Sequence, residues 1–407
     1  MRPAYHRPGR SRHQSLRHGA TAASGRRSVA LPGRGVRPRS RRRPNLASQY
    51  GCRGVSVRRT PEKERNVVTR DDVARLAGTS TAVVSYVLNN GPRPVAAATR
   101  RRVLQAVEEL GYRPNAAARA LSRRHDDVIG LIVPNFDNPY FAALGTAIEG
   151  AATAKGFTVI LGNARHEDDR QAAYVETFLS RQCSGLILVG AAQESDGRNG
   201  PRTNALLKRE QGVPLVSFDP LPNGARGTLL TPDNVPGAAA AVEHLLGHGH
   251  TRVGMLAGPQ KFKAVQERER GWRETLENAE IDAASQTVVR CRFDRYEAFD
   301  LTERLLRSPR QFTALFIHTD EQAIGVIHAA RAAGLTLPQD LAIVSFDGIR
   351  EAGLITPQLT TVQQPITQLG ARAVDLIQKQ IARRPTNRTT ERLTCELVTR
   401  TSCGCPG

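Results

Sequence analysis

The sequence predicts an α/β protein with a small all-α unit toward its N-terminus and a large core of parallel sheets flanked by helices. Three observations carry that expectation. From residue 126 onward, short apolar runs of strand length alternate with stretches of helical period, the pattern of strands joined by crossover helices. Between residues 67 and 114 the apolar residues recur at helical spacing. The 407 residues exceed one ordinary domain, since ~150 residues per domain implies two or three compact units.

Taken in order, residues 1–66 mix Arg, Pro, Gly and Ser with few large apolar side chains, so they read as a disordered basic extension. They are either a DNA-gripping arm or the product of a misplaced start. They hold 18 Lys and Arg against only Glu62 and Glu64. Residues 67–125 hold ten Arg against four acids, which leaves a net of −2 of the chain's +20 for residues 126–407. A basic N-terminal third beside a neutral core points to a polyanion met at one end of the molecule.

Residues 67–114 predict three helices. Val73, Leu76 and Ala77 repeat at i, i+3, i+4; Gly78 breaks the helix; Ser80 caps a second one carrying Val83, Val84, Val87 and Leu88. A third starts with Thr99 as its cap, turns Val103, Val107 and Leu110 inward, and stops at Gly111. This is a helix-turn-helix headpiece. Residues 115–125, begun by Asn115 after Pro114, form an alanine-rich helix too short to be stable alone, and so a linker that folds only against something else.

In residues 126–407, strands are expected at 128–133, 157–161, 185–189, 215–218, 253–257, 314–317 and 342–346. Helices are expected at 140–155, 237–246, 267–277 and 321–333. Ligands of such sheets bind beyond the carboxyl ends of the strands. Polar residues follow the apolar runs there: Asn135 and Asp137, Asp219, Asp320 and Asp347. Converging carboxylates and amides suit a hydroxyl-rich ligand.

Several classes are set aside. The six cysteines, Cys52, Cys183, Cys291, Cys395, Cys403 and Cys405, lack the paired spacings of a zinc site or a disulfide scaffold, and reduced thiols in a cytoplasmic protein are expected. No export signal and no run of 18 apolar residues is present, which argues against an exported transport protein and a membrane span. No Gly-x-Gly-x-x-Gly after a strand, no phosphate loop and no Gly-x-Ser-x-Gly supports an enzyme. His244, His248 and His250 lie at suggestive spacing, but no carboxylate or thiol is placed nearby in a known ligand spacing, and Cys403-Gly404-Cys405 reads as a surface tail. No cofactor and no metal are expected.

The stretch Val68-Thr69-Arg70-Asp71-Asp72-Val73-Ala74-Arg75-Leu76-Ala77-Gly78-Thr79-Ser80, followed by Val84-Ser85-Tyr86-Val87-Leu88-Asn89, resembles the lactose-repressor family. The likeness continues through Leu110-Gly111-Tyr112-Arg113-Pro114-Asn115, Asn138-Pro139-Tyr140-Phe141, Asp233-Asn234, Gly271-Trp272, Val344-Ser345-Phe346-Asp347 and Leu359-Thr360-Thr361-Val362. The resemblance implies a transcriptional regulator, with headpiece, hinge helix and a two-lobed core like that of periplasmic sugar-binding proteins. It also implies double-stranded operator DNA and a small sugar-like effector as partners, and a homodimer reading two half-sites.

By the same resemblance Thr69, Thr79, Ser80, Ser85 and Asn89 contact phosphates, while Thr81, Ala82 and Tyr86 take the base-reading positions. Leu121 becomes a minor-groove wedge, with Asn115 and Ala118 beside it on the hinge. The effector contacts implied are Phe136, Asn138, Phe141, Asp219, Arg268, Phe293, Asp347 and Gln364. Aromatic faces there would stack on a sugar ring, and the charged groups would fix its hydroxyls. At residues 318–320 the chain has His-Thr-Asp where the family often has Asn-Asp after the strand.

Overall fold

The computed structural model describes residues 68–88, 93–112, 126–190, 200–210, 212–383 and 387–406. The chain divides into residues 1–67 and 68–407. The basic extension, Asn89 and the hinge positions Asn115, Ala118 and Leu121 lie outside the described residues.

Three helices build the headpiece: α1 (Arg70–Leu76), α2 (Thr81–Leu88) and α3 (Ala97–Glu109). α1 opens with a capping box, in which the Asp72 amide donates to Thr69 Oγ1 (3.4 Å) and the Thr69 amide donates back to Asp72 Oδ2 (2.9 Å). The turn after α1 needs Gly78, whose φ of +60° strains any residue with a Cβ. Ser80 then caps α2 by accepting from the Val83 amide at 3.3 Å. Val73, Ala74, Val84, Val87, Val103 and Ala106 meet in one apolar cluster closed by Tyr112. The expected cap Thr99 is not the start of α3: the helix begins at Ala97 behind Ala96, with no side-chain cap, and Thr99 sits inside its first turn. Alanine propensity starts the helix early, with its cap three residues before the expected Thr99.

The core holds two six-stranded sheets. The first sheet takes β1 (Asp126–Val133), β2 (Thr158–Asn163), β3 (Cys183–Leu188), β4 (Leu215–Ser217), β5 (Gly227–Pro232) and β11 (Arg388–Leu393), in the order β11-β5-β4-β3-β1-β2. The second takes β6 (Val253–Ala257), β7 (Val288–Arg290), β8 (Ala314–Ile317), β9 (Ala342–Asp347), β10 (Thr360–Gln363) and β12 (Glu396–Val398), in the order β12-β10-β9-β8-β6-β7. Every pairing in the first sheet is parallel, and in the second only β12 runs antiparallel, against β10. The helices are α4 (Pro139–Ala154), α5 (Asp168–Ser180), α6 (Pro201–Arg209), α7 (Asn234–Gly247), α8 (Lys263–Asn278), α9 (Arg295–Leu306), α10 (Asp320–Ala332) and α11 (Ile366–Ala382).

Strand order requires three crossings between lobes: from β5 through α7 into β6, from β10 through α11 into β11, and from β11 into β12. Parallel strands buried on both faces read as continuous apolar runs, and β3, β6, β8 and β9 are buried at every position.

The C-terminal segment departs from the surface tail expected of it. Ser402 and Cys403 are buried, with Ser402 Oγ donating to the Ile343 carbonyl (2.7 Å) and accepting from the Thr360 amide (2.9 Å). The segment is therefore stitched to the second sheet, a long-range pairing that a local reading of Cys-Gly-Cys does not contain.

Candidate functional site

Both sheets aim their carboxyl ends at one cleft of about 740 Å3, a volume that includes its open mouth. Asn138, Gly190, Asp219 and Pro232 reach it from the first lobe, after β1, β3, β4 and β5. Thr319 and Asp347 reach it from the second, and Gln364 from the crossing that follows β10.

The polar floor is one connected set. Tyr140 Oη donates to Gln364 Oε1 at 2.7 Å, and Gln364 Nε2 donates to Asp347 Oδ1 at 2.8 Å. Arg268 Nη1 meets the same carboxylate oxygen at 3.3 Å and also donates to the His318 carbonyl. Arg268 Nε donates to Asn234 Oδ1 (3.0 Å), and Asn234 Nδ2 donates to Glu267 Oε2 (3.0 Å). The guanidinium also lies over the Phe346 ring, 3.7 Å from its centroid, a cation–π contact in a buried site. Since Tyr140 belongs to α4 of the first lobe and Asp347 ends β9 of the second, the set spans the cleft.

Burial raises the Asp347 carboxyl above its ordinary value against the opposing pull of Arg268, with Asp320 adding to the rise. Its backbone sits at φ +117°, a conformation costing about 1–3 kcal/mol for a non-glycine residue, so the turn after β9 is held by its surroundings. Asp320 does the holding. Its carboxylate accepts from the Gly348 and Ile349 amides, both at 2.8 Å, and from Thr361 Oγ1 at 2.7 Å. Asp320, a strand-end carboxylate expected to meet the ligand, therefore faces the turn instead: its oxygens are occupied in shaping Asp347. Asp219 is the first lobe's counterpart. Burial pushes its carboxyl up to about 7, against the Gly190 amide that donates to it.

Aromatic faces flank this floor. Phe141 packs edge-on to Tyr140 with centroids 5.1 Å apart, and across the cleft Phe293 lies 5.2 Å from Phe262, which in turn meets His166 edge-on at 5.8 Å. The Asn138 Oδ1 caps α4 by accepting from the Tyr140 amide at 2.9 Å, so its Nδ2 is the group left to meet a ligand.

Of the effector contacts expected from sequence, Asn138, Phe141, Asp219, Arg268, Phe293, Asp347 and Gln364 line the cleft together. Phe136 does not: it packs, half-buried, against the apolar core. An aromatic two residues before Asn138 falls on the inward side of the turn, which spacing alone does not distinguish. Tyr140, Asn234 and Phe262 were missed as cleft residues. All three follow strand ends by a few positions, those of β1, β5 and β6, a signal available in the sequence.

In the headpiece, Ala82 is exposed and Thr81, Ser85 and Tyr86 are half-buried on α2, whose buried face is Val84 and Val87. Thr79 and Ser80 occupy the turn before it. Thr69 Oγ1 donates to Asp72 Oδ2 at 2.7 Å, so that hydroxyl serves the cap first.

A helix-turn-helix headpiece on a two-lobed core with a polar, aromatic-walled cleft defines a class: DNA-binding proteins that carry a small-molecule receptor domain. The model of the bacterial regulatory proteins, lacI family, matches residues 69–115, and that of the periplasmic binding protein-like domain matches residues 242–403. The ribose operon repressor of Escherichia coli (strain K12) is 31% identical over 311 residues, covering 76% of this chain and 92% of its own. The lac repressor dimer bound to operator and the anti-inducer ONPF has a TM-score of 0.73 at 26% identity, with 83% of this chain and 99% of that chain covered. A LacI family transcriptional regulator from Enterococcus faecium with bound ribose has a TM-score of 0.59 at 27% identity, covering 68% and 98%. The chain belongs to the lacI family of bacterial regulatory proteins, which are DNA-binding transcriptional regulators and not a family of enzymes. Among the described residues no helix is long and apolar enough to cross a membrane.

Proposed function

We propose that this protein is a homodimeric cytoplasmic repressor whose operator affinity is set by a monosaccharide held between its lobes and released without chemical change. The observation that carries this reading is the connected set from Tyr140 through Gln364, Asp347 and Arg268 to Asn234, which draws groups from both lobes. A ring whose hydroxyls engage these groups on both sides favours one relative position of the lobes, and a ligand shifts an equilibrium by its differential affinity for the two positions. Phe141 and Phe293 supply apolar faces for the ring's C–H surface, and the carboxylates and Arg268 supply charge-assisted hydrogen bonds. The repressor named for the ribose operon and the ribose-bound neighbour support pentoses as the first sugars to try. At the DNA, Thr81, Ala82 and Tyr86 of α2 read base edges. Tyr86 offers one hydroxyl and a ring face, Ala82 a methyl for a thymine contact.

The test is a thermal-shift panel of pentoses, hexoses and their phosphates, followed by gel shifts on the operator with each hit. A ligand at 100 times its Kd adds about 2.7 kcal/mol of stability. A sugar that stabilises the protein and changes operator affinity, and is recovered unaltered, supports the reading. Stabilisation only by nucleosides, or turnover of the sugar, overturns the ligand assignment or the regulatory one respectively.

A further inference from the structure

The fold brings together two pairs of residues that lie about 160 positions apart in sequence. His244 and His248 stand at i and i+4 on the last turn and C-cap of α7, and Cys403 and Cys405 flank Gly404 at the end of the chain. One ligand atom from each of the four lies within 4.8 Å of the other three. His244 Nε2 is 3.1 Å from Cys403 Sγ and 3.5 Å from Cys405 Sγ, and His248 Nε2 is 3.4 Å from Cys405 Sγ. The two imidazoles meet edge to face with centroids 4.8 Å apart, so both Nε2 atoms converge on the thiols. We propose that His244, His248, Cys403 and Cys405 form a structural Cys2His2 site for a divalent zinc ion that ties the C-terminus to α7.

The geometry suits zinc in three respects. Bonds of about 2.3 Å to sulfur and about 2.0–2.1 Å to nitrogen at tetrahedral angles separate sulfur from nitrogen by about 3.5 Å, against 3.1–3.5 Å here. The remaining pairs lie within 4.8 Å, so loading draws the widest of them closer by about 1 Å through side-chain rotation. Two thiolates and two imidazoles favour zinc over the hard cations magnesium and calcium, which take oxygen ligands. Four protein ligands also complete the tetrahedron and leave no position for a reacting water, the pattern of a structural site.

The supporting shell is already in place. Thr360 Oγ1 donates to Cys403 Sγ at 3.0 Å, a bond that stabilises a thiolate, and is itself fixed by the Arg400 amide at 2.8 Å. Ser402, anchored between the Ile343 carbonyl and the Thr360 amide, sets the direction of the neighbouring Cys403. Gly404 has φ +105°, the left-handed conformation that lets the chain double back so that both sulfurs point the same way. On loading, each thiol loses its proton to solvent, two per zinc, and the bond from Cys403 Sγ to the Arg400 carbonyl gives way to the bond to the metal. A site assembled from residues this far apart forms only in the folded protein, so zinc binding adds directly to the stability of the second lobe.

The experiment uses full-length protein without a histidine tag, purified under reducing conditions without chelator. Mass spectrometry of the metals is expected to find about one zinc per chain. After removal by chelator, cobalt(II) titrated in its place is expected to give the intense visible bands of a tetrahedral site and a near-ultraviolet thiolate charge-transfer band. Cys405→Ser and His248→Gln change the two less buried ligands, spare the buried Cys403, and are expected to lower zinc affinity by on the order of 100-fold or more while the circular dichroism stays folded. Cys52→Ser leaves the cobalt spectrum unchanged. Substoichiometric zinc with no tetrahedral cobalt spectrum overturns the site, as does a spectrum that survives both ligand substitutions. Because the readouts are metal content and spectrum, they are independent of any sugar or operator result.

Discussion

Each lobe buries one carboxylate in the cleft, and the two are kept differently. In the second lobe Asp347 is 3% exposed and is surrounded by its own support: the Arg268 guanidinium, the Gln364 amide, and a turn shaped by Asp320. In the first lobe Asp219 is 7% exposed, accepts from the Gly190 amide, and is pushed by burial up to about 7. The second lobe is pre-organised by a charge pair and a shaped turn, whereas the first holds its carboxyl through a backbone amide; burial pushes both carboxyls up to about 7. Side-chain support on one side and a carboxyl held by backbone on the other suit a receptor whose ligand binds one lobe first and draws the other onto it.

Breaking the stronger side is expected to have the largest effect. Arg268→Met leaves Asp347 without its cation in a buried site, and removing one partner of such a pair typically costs 3–5 kcal/mol. A denaturant melt should fall by that order, and any sugar-induced stabilisation should disappear. Combining it with Asp347→Leu should recover part of the stability while sugar binding stays lost. A double variant as unstable as the sum of the single ones would mean that the pair is not coupled.

Both buried carboxyls should be visible as pH dependence. The folded pKa of Asp219 lies above the ordinary carboxyl value, so between pH about 4 and 7 the folded protein binds more protons than the unfolded one. Stability from this group is complete below pH 4 and is lost as pH rises through 7. At 1.36 kcal/mol per unit the loss is on the order of 4 kcal/mol at most, and Asp347, also raised, adds with the same sign. Asp219→Asn should roughly halve the decline between pH 4 and 7, the remainder belonging to Asp347. If the ligand's hydroxyls need the carboxylates, sugar affinity of the parent protein should rise from pH 6 to pH 8, and the variant should show a smaller rise, the part that Asp347 supplies.

The sequence made the scaffold of this comparison readable and left its couplings hidden. The strands at 253–257 and 314–317 match the structure at both ends, because β6 and β8 are buried at every position and so are apolar at every position. Asp219 and Asp347 were legible because polar residues directly after such strands have few other reasons to be there, whereas Gln364 was reached only through the family resemblance. Edge strands were not: β11 carries Arg-Thr-Thr-Glu-Arg-Leu and is exposed or half-buried along its length, so it has no apolar signature and exists only through its pairing with β5. α11 was passed over although seven of its residues are buried, since Gly370 and Gln380 interrupt the apolar face. Gly370 is small because α4 lies against it: a Cβ there would come within 2.7 Å of Ala147. Asp320 was misassigned for a related reason. Its position is a strand end, but which way its oxygens turn depends on the amides of residues 348 and 349, which no local pattern reveals.

A milder test concerns the aromatic walls. Phe293→Ala, across the cleft from Phe141, removes a stacking face, and aromatic contacts are worth about 0.5–1.5 kcal/mol beyond their buried area. Sugar affinity measured by calorimetry should fall roughly tenfold. Phe136→Ala should lower the melting temperature through lost packing and leave sugar affinity within error, since Phe136 packs against the apolar core. Equal affinity losses in both would return Phe136 to the ligand set.

The smallest effect is expected in the headpiece, where no buried charge is involved and the relevant interaction is one hydrogen bond. Ser80 Oγ accepts from the Val83 amide at 3.3 Å and so satisfies one of the donors left open at the start of α2. Replacing such a cap with Ala costs about 1 kcal/mol, and with Gly only a few tenths. Hydrogen exchange of the α2 amides in the full-length protein should therefore speed up roughly fivefold in Ser80→Ala and little in Ser80→Gly, with the sugar-induced stabilisation of the core unchanged in both. If the glycine variant loses operator affinity while keeping its exchange protection, the hydroxyl acts on the DNA phosphate as well as on the helix. If both variants keep their affinity, its work ends at the cap, and phosphate positioning falls to Thr79 and Ser85 on either side of it.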